Sequence, residues 1–332
     1  MTRPKWPLRD LPSATPATPP LPPQDSGTDW VTNQIELLAR RCGAVVGVCA
    51  QEIGGPWRVE YQAQRRFFMA STFKVALAAT VLQAVGRGEL SLDEVIEVPR
   101  ARHMVGSGVI MPAFVHEGLA LSVVNLLEVM MSESDNTATD VLMARIGGPQ
   151  CVQQWLAEVG VQGMRVDRNI DRMVRDFCAL GDEGTPLEAA ARMFSAPGFD
   201  PESVFDFNAR LEADDRDTTT PAGMADLLSG LATGQFLSVA STTLLEGMML
   251  RVRGARSLRL LARLPAGTPV AHKPGTAAGV INDAGWITLP DGRRFVAAVF
   301  SRHGLTPRVQ REQMVEEVGR LLYSAFAEAP QR

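Results

Sequence analysis

The stretch FMASTFKVAL, residues 68–77, places a serine at the start of an apolar segment and a lysine three positions later. On a helix, the side chains of Ser71 and Lys74 lie on one face, about one turn apart, so that the amine can reach the hydroxyl. A serine hydroxyl needs a neighbouring base to become a nucleophile at neutral pH. A lysine amine can be that base once it has lost its proton, which burial or a second nearby cation favours. The same pattern also fits a serine that simply caps a helix, so the rest of the chain has to decide.

The overall composition is that of a globular protein. The chain has 332 residues, of which 45% are hydrophobic and 21% are charged. A formal net charge of -4, with no block of basic residues, argues against nucleic acid as a partner. No run of about 18 apolar residues is present that would span a membrane. We therefore expect a small-molecule substrate, no nucleic-acid or membrane partner, and a monomer or weak oligomer.

The N-terminal residues 1–28 are rich in proline, threonine and alanine, which predicts a disordered or extended tail. This segment lacks the apolar core of a secretory signal. We therefore expect a cytoplasmic protein, and a periplasmic or secreted one if the true start of the protein lies further upstream.

The cysteines and histidines show no metal-binding pattern. The four cysteines, at positions 42, 49, 151 and 178, have neither a CxxC nor a Cys/His metal spacing. The four histidines are scattered, and His272 next to Lys273 is expected to face the opposite side of its strand. We expect free thiols, no metal and no cofactor.

Predicted strands lie at both ends of the chain, and predicted helices fill its middle. The strands cover 44–53, 57–66, 269–276, 280–289 and 294–301. Short turns between them favour one five-stranded antiparallel sheet that both ends of the chain complete. Helices predicted over 29–41 and 308–327 would flank this sheet. The predicted fold class is α/β, of the α+β sandwich type, with an inserted all-helical subdomain.

We expect a single catalytic domain over residues 29–330. Residues 29–70 and 220–330 would form its α/β subdomain, and residues 71–219 its helical subdomain. Residues 165–217 have poor periodicity and predict an extended loop with little regular structure, which is more often functional than a plain connector. A cleft between the two subdomains is the natural place for an active site.

Three short motifs follow one another along the chain. They are Ser71-Thr72-Phe73-Lys74, Ser134-Asp135-Asn136 and Lys273-Pro274-Gly275-Thr276. Each is common by itself, but in this order they resemble the SxxK, SDN and KTG motifs of penicillin-binding proteins and class A β-lactamases. The flanking segments RFFMA (66–70), DNTA (135–138), IGGP (146–149) and RDTTTP (216–221) also resemble class A β-lactamase sequence. The resemblance extends over about residues 30–328.

The resemblance implies catalytic roles for four side chains. Ser71 would be the acylated nucleophile, and Lys74 its base, directly or through a water molecule. Ser134 would pass a proton to the leaving nitrogen. Lys273 would keep the local field positive and orient Ser134.

It also implies a substrate-binding set. Asn136 would hydrogen-bond both Lys74 and the substrate amide, and Gly275 and Thr276 would line the substrate. The backbone N–H groups of Ser71 and Thr276 would form the oxyanion hole, in which two donors stabilise the tetrahedral intermediate.

One departure from the family concerns deacylation. Class A enzymes carry a glutamate in the loop before the RDTTTP segment, and this glutamate activates the water that cleaves the acyl-enzyme. The segment RVDR at 165–168 matches the start of that loop, but Ile170 stands where the glutamate is expected. An insertion of about thirty residues follows before Arg216. Asp171 and Glu212 are the candidates to take over as deacylation acid, and both also fit solvated surface acids.

Two further departures concern the carboxylate of penicillins. Pro274 replaces a residue whose hydroxyl helps to bind that carboxylate, and Thr276 offers a partial replacement. The strand that follows, 280–285, contains no arginine to pair with the carboxylate. Both features predict a substrate that need not carry it.

The leading hypothesis is a class A β-lactamase-like serine hydrolase that acts on a lactam, amide or ester through an acyl-enzyme at Ser71. β-Lactam turnover, and with it antibiotic resistance, stays open because the deacylating glutamate is replaced. One alternative is an intracellular esterase, peptidase or biosynthetic amidase that acts on a small metabolite. The other is a non-catalytic ligand-binding relative.

Overall fold

A computed structural model describes residues 28–197, 200, 206, 208–253, 258–304 and 306–329. The predicted tail therefore lies outside the described residues, apart from Thr28. Among the described residues, no helix combines the length and the apolar character that a membrane crossing requires.

The described residues contain both strands and helices. The strands are β1 (Val45–Glu52), β2 (Arg58–Tyr61), β3 (Phe67–Phe68), β4 (Val95–Glu97), β5 (Ala120–Ser122), β6 (Thr218–Thr219), β7 (Val270–Ala277), β8 (Val280–Thr288) and β9 (Arg294–Arg302). The α-helices are α1 (Asp29–Arg41), α2 (Lys74–Gly86), α3 (Ile110–Ala113), α4 (Val123–Ser132), α5 (Asn136–Arg145), α6 (Pro149–Glu158), α7 (Ile170–Cys178), α8 (Pro186–Phe194), α9 (Ala209–Ala213), α10 (Pro221–Ala232), α11 (Val239–Leu250) and α12 (Arg308–Glu328). Short 3-10 helices cover Ala70–Phe73 and Arg100–Arg102.

The central sheet has five strands in the order β2-β1-β9-β8-β7, and each neighbouring pair is antiparallel. The N-terminal hairpin β1–β2 joins the C-terminal strands through β9, whose Ala298 pairs with both Cys49 and Ala284. The predicted five-stranded antiparallel sheet, completed by both ends of the chain, is confirmed. The predicted second strand, 57–66, was too long: β2 ends at Tyr61, because Gln62 adopts a positive φ of 46° that breaks the extended backbone.

The sheet separates two apolar cores. On one face, α1 and α12 pack over residues such as Val46, Val48 and Val299, and the Phe295 and Phe326 rings stack at 4.3 Å. The other face continues into the helical part of the chain, where α2 is buried along residues 74–82. A helix that is buried on every side belongs to the interior of a protein. The segment that begins with Ser71 and Lys74 is therefore the centre of the larger core.

Several helix starts follow from their capping residues. The Ser122 hydroxyl accepts from Asn125 N at the start of α4. The Thr220 hydroxyl accepts from Gly223 N at 3.0 Å, and Pro221 occupies the first turn of α10, where a missing N–H costs nothing.

The expectation of little regular structure over 165–217 was wrong, because three helices, α7, α8 and α9, lie in this segment. Each helix starts at a capping side chain: Asn169 accepts from Arg172 N, Thr185 and Glu188 form a reciprocal capping box, and Asn208 accepts from Leu211 N. The helices are short and separated by irregular chain, so their apolar residues give little periodicity over the whole segment.

Candidate active site

Ser71 lies in the 3-10 helix that leads directly into α2. The preceding residue, Ala70, has a positive φ of 46°, which a non-glycine residue adopts only where its surroundings impose it. Those surroundings include the buried amide of Asn282 on β8, which donates to the carbonyls of Phe68 and Met69 at 2.9 and 3.1 Å. The sheet therefore fixes the backbone immediately before the serine.

The amine of Lys74 connects the first motif to the second. Its Nζ donates to the Ser134 carbonyl at 2.7 Å, the Ser134 Oγ at 3.3 Å and the Asn136 Oδ1 at 2.9 Å. The Lys74 side chain is fully buried, although it carries an ionisable group. Ser134 has a positive φ of 59°, a second strained residue next to the same amine. Two motifs that lie about sixty residues apart in the sequence thus meet at one nitrogen.

Asp135 fixes the second motif to the loop that covers it. Its buried carboxylate accepts from the N–H groups of Val109 and Ile110 at 2.7 and 2.8 Å, and from Ala138 N at the start of α5. A carboxylate with several backbone donors is a strong anchor. Asp135 is therefore a positioning residue, which holds the second motif against the loop that contains Val109 and Ile110.

The third motif reaches the cleft on β7. Gly275 packs so closely that a Cβ there would lie 2.8 Å from the Met69 carbonyl oxygen, so only glycine lets the strand approach the serine segment. Lys273 is fully buried. The cleft between β7 and the second motif is lined by Ser71, Ser107, Ser132, Glu133, Ser134, Val252, Arg253, Lys273, Pro274 and Thr276. The structure thus brings the residues of all three predicted motifs together.

Arg259 supplies a cation that sequence reasoning missed. Its side chain is buried, and Nη2 donates to Thr276 Oγ1 at 2.6 Å, while Nη1 donates to the carbonyls of Gly275 and Asn282 at 2.8 Å. A hydroxyl that accepts from a guanidinium keeps its own hydrogen for another acceptor, and Thr276 lines the cleft. A buried guanidinium therefore lies behind Thr276 although 280–285 contains no arginine, and Glu312 pairs with this guanidinium at 3.4 Å. No sequence signal pointed to Arg259, because it lies before β7 and outside any motif.

His272 lies on the other side of β7 from Lys273, as strand alternation predicted. Its Nδ1 lies 2.8 Å from Asp283 Oδ2, and both side chains are buried. Asp283 also accepts from Leu260 N, so this pair supports the residue that follows Arg259.

The two acids proposed from the sequence for deacylation both lie in ion pairs. Asp171 pairs with Arg175, with Nε 2.9 Å from Oδ1. Glu212 contacts Arg302 Nη1 at 2.9 Å and His303 Nε2 at 2.7 Å, at the end of β9. Their assignment as deacylation acid stays a prediction.

Ile170 has a buried side chain. Its backbone N–H donates to the carboxylate of Asp140, a residue that was not predicted from the sequence. Asp140 Oδ1 accepts from Ile170 N at 2.7 Å, and Asp140 Oδ2 accepts from Asp171 N at 2.9 Å. Burial raises the pKa of Asp140 to about 6, against the lowering effect of those two N–H groups and of Lys74. The sequence contains one indication of a role for Asp140. It follows Asn136 by four residues on α5, so both side chains share a face of that helix.

A buried ion pair links the two ends of the segment 165–217. Arg168 Nε lies 2.5 Å from Asp217 Oδ2, and the Asp217 carboxylate also accepts from the N–H groups of Asp167 and Arg168. Asp176 and Asp214 surround the same guanidinium at 2.8 and 3.0 Å. Desolvation by burial raises the pKa of Asp217 even so.

This geometry agrees with comparisons to known proteins. Residues 31–326 match the model of the "Beta-lactamase enzyme family". The chain belongs to this β-lactamase family. It is 29% identical over 304 residues to the extended-spectrum β-lactamase PER-1 of Pseudomonas aeruginosa, with 87% of this chain and 85% of that protein covered.

Solved β-lactamase structures share the fold. An ancestral (GNCA) class A β-lactamase is 31% identical, with a TM-score of 0.73, and the match covers 89% of this chain and all of that one. A β-lactamase from Chitinophaga pinensis is 27% identical, with a TM-score of 0.74, and the match covers 90% of this chain and all of that one. The resemblance to class A β-lactamases and the predicted fold class are confirmed, and the family supports a serine hydrolase that acts on lactams.

Proposed function

We propose that this β-lactamase family member opens β-lactams through an acyl-enzyme formed on Ser71, with Lys74 as the base. The observation that carries the proposal is the Lys74 amine, which is fully buried and hydrogen-bonded to Ser134 and Asn136. Lys74 acts as the base once it has given up its own proton, and the burial of its side chain keeps the amine out of bulk solvent.

Lysine usage across the chain supports the same assignment. Of the 33 lysines and arginines, only Lys5, Lys74 and Lys273 are lysines. Arginine stays protonated in proteins, whereas a lysine amine can lose its proton when it is buried. The two lysines of the described residues therefore stand where the proposed chemistry needs an amine, and arginine serves at every other basic position described.

The proposed acylation is a balanced proton transfer. Lys74 accepts the proton of the Ser71 hydroxyl, and Oγ forms a bond to the lactam carbonyl carbon. The developing oxyanion is stabilised by the N–H groups of Ser71 and Thr276. The carbon–nitrogen bond of the lactam then breaks, and the nitrogen receives a proton through Ser134, which Lys74 supplies.

The other end of the cleft suits a substrate carboxylate. The Thr276 hydroxyl, which accepts from the buried guanidinium of Arg259, has its own hydrogen available for an anion. Thr276 and Arg259 thus take over the role that the hydroxyl at the Pro274 position has in the family. We therefore extend the proposal to carboxylate-bearing β-lactams such as benzylpenicillin.

Intact-mass measurement after exposure to benzylpenicillin tests this function. The expected result is a mass increase equal to one benzylpenicillin in the wild-type protein and none in Ser71→Ala. Hydrolysis of the drug in solution would establish turnover. An adduct that never clears would instead indicate a penicillin-binding relative.

Two other outcomes would redirect the assignment. Neither an adduct nor hydrolysis across penicillins and cephalosporins would contradict β-lactam chemistry, and a panel of chromogenic esters would then test the esterase or amidase alternative. If a fluorophosphonate probe failed to label Ser71 while ligands still bound in the cleft, a non-catalytic binding protein would be favoured.

A further inference from the structure

We propose that the Asp140 carboxylate is the general base that activates the deacylating water, in place of the glutamate that class A enzymes carry where this chain has Ile170. The inference rests on the proposed function, because it concerns hydrolysis of the acyl-enzyme on Ser71. It assigns to a residue of α5 a reaction that the family performs from the loop before the RDTTTP segment.

The position of Asp140 supports this role. Asn136 is the first residue of α5, and its Oδ1 lies 2.9 Å from the Lys74 amine. Asp140 follows one helical turn later on the same face of α5. Its two oxygens bond the backbone N–H groups of Ile170 and Asp171 at 2.7 and 2.9 Å. The carboxylate therefore joins the residue from which a glutamate would project to the same helix that bonds the Lys74 amine.

The carboxylate retains room to act on water. Each carboxylate oxygen has about two acceptor sites, and each oxygen of Asp140 uses one of them for a backbone N–H. Part of the Asp140 surface remains exposed to solvent. One acceptor site on each oxygen is left for a hydrogen bond from a water molecule that approaches the acylated serine.

The charges around Asp140 suit a base that works near neutral pH. Burial raises the pKa of Asp140 to about 6, and the neighbouring Asp171 carboxylate contributes to this rise. The two backbone N–H donors and the Lys74 amine act to lower the same pKa. Asp171 is itself paired with Arg175. A base is most effective when its pKa lies close to the working pH, because it is then both ionised and able to hold a proton.

The proposed step conserves atoms and protons. Asp140 takes one proton from water, and the water oxygen forms a bond to the acyl carbonyl carbon. The tetrahedral intermediate collapses with cleavage of the bond between that carbon and Ser71 Oγ. Asp140 then returns the proton to Ser71 Oγ, which restores the free enzyme and releases the ring-opened acid.

The experiment compares acylation and deacylation in the wild-type protein and in Asp140→Asn, with nitrocefin and benzylpenicillin as probes. Rapid-quench intact mass gives the rate of adduct formation, and adduct decay after removal of the drug gives the deacylation rate. We expect Asp140→Asn to acylate within a few-fold of the wild-type rate. Its deacylation should fall by about 10²- to 10⁴-fold, the usual contribution of a general base.

The pH profile separates a base from a residue that only anchors α7. In the wild-type protein, the deacylation rate should fall as pH drops through about 6, since the base becomes protonated. The deacylation rate of Asp140→Asn should not show this fall at acid pH. The double variant Asp140→Asn/Ile170→Glu should recover deacylation, because it places a glutamate where the family carries one.

A matched control removes a carboxylate with a raised pKa that lies outside the cleft. Burial raises the pKa of Asp226 on α10, which lines a separate surface cavity near Gly230. Asp226→Asn should leave both rates and the pH profile unchanged.

Each outcome bears on one claim or the other. A wild-type adduct that forms but does not decay, or an Asp140→Asn variant that deacylates normally, would overturn the role of Asp140 and leave the acyl-enzyme proposal standing. An Asp140→Asn variant that loses acylation and deacylation equally, without rescue by Ile170→Glu, would make Asp140 a structural anchor. Absence of any wild-type adduct would contradict the proposed function and this inference together.

Discussion

The two sides of helix α5 are built by different means. On the side proposed for acylation, the first residue of α5, Asn136, bonds the buried Lys74 amine, and β7 packs against the Ser71 segment. On the other side, Asp140 of α5 bonds residues 165–217, a set of short capped helices that aspartate–arginine pairs link together. The first side depends on the large apolar core, and the second on polar contacts. The Ser71 segment can therefore keep its position while residues 165–217 change.

This difference is visible in how Ile170 is accommodated. The isoleucine side chain is buried, while its backbone N–H is held by Asp140 from α5. The polar function that a glutamate would supply from the segment is thus available from the helix beneath it. The contrast between the two sides yields three predictions, given from the largest expected effect to the smallest.

Loss of the Lys74 amine should affect the acylation side most. We expect Lys74→Met to slow acylation by benzylpenicillin by about 10²- to 10⁴-fold, because the variant removes the proposed base. Lys74→Arg is the sharper test, since it keeps the positive charge but cannot give up its proton. Stopped-flow or rapid-quench mass measurements would follow the rate, and circular dichroism would verify the fold. Acylation by Lys74→Arg at the wild-type rate would rule out Lys74 as the base.

Breaking the buried ion pair should affect the other side. We expect Asp217→Asn to lower the free energy of unfolding by about 3 kcal/mol, because Arg168 then loses its closest partner in a buried setting. Hydrogen exchange should increase within 165–217, while the rate of acylation changes little. Unfolding in urea and exchange mass spectrometry would measure the two effects.

The matched control for this variant is the exposed pair formed by Arg172 and Asp182. Asp182→Asn should cost less than about 1 kcal/mol, since ion pairs exposed to solvent contribute little. Equal losses for both aspartates would contradict the view that the link between the two ends of the segment depends on burial.

Acid should weaken the same segment through Asp214. Hydrogen bonds from Arg216 lower the pKa of Asp214 to about 2, from an ordinary value near 3.8. A carboxyl whose pKa is depressed in the folded protein contributes stability above its unfolded pKa, and this stability is lost as the pH falls toward its folded pKa. We expect the free energy of unfolding to fall between about pH 4 and pH 2, and to fall less steeply in Asp214→Asn. Denaturant titrations at several pH values would test this, and identical slopes would exclude Asp214 as a contributor.

Much of the side of α5 proposed for acylation could be predicted from the sequence. Ser71 and Lys74 are close in the chain, and the order of the three motifs identifies their partners before any contact is known. The central sheet followed from strands whose boundaries are marked by turns, such as the one at Gly292 before β9. These features depend on local patterns, which a sequence displays directly.

The missed features depend on contacts between distant parts of the chain. Asp140 acquires its surroundings only because the start of α7 docks on α5, thirty residues away in sequence. Arg259 reaches Thr276 from a segment that carries no motif. In contrast, α7 and α8 had local signals: Ile170, Met173, Val174 and Phe177 follow helical spacing, and Thr185 and Glu188 form a capping box. Both helices are therefore encoded in short segments of the sequence.

The scarcity of lysine has a practical consequence for chemical labelling. Both lysines within the described residues are fully buried, Lys74 on α2 and Lys273 on β7. An amine-reactive reagent can modify Lys74 or Lys273 in the folded protein only when these buried amines become accessible. The labelling rate at these two positions, resolved by peptide mapping, would therefore report how often the cleft opens. Lys74 and Lys273 would thus report transient opening of the cleft without an engineered label.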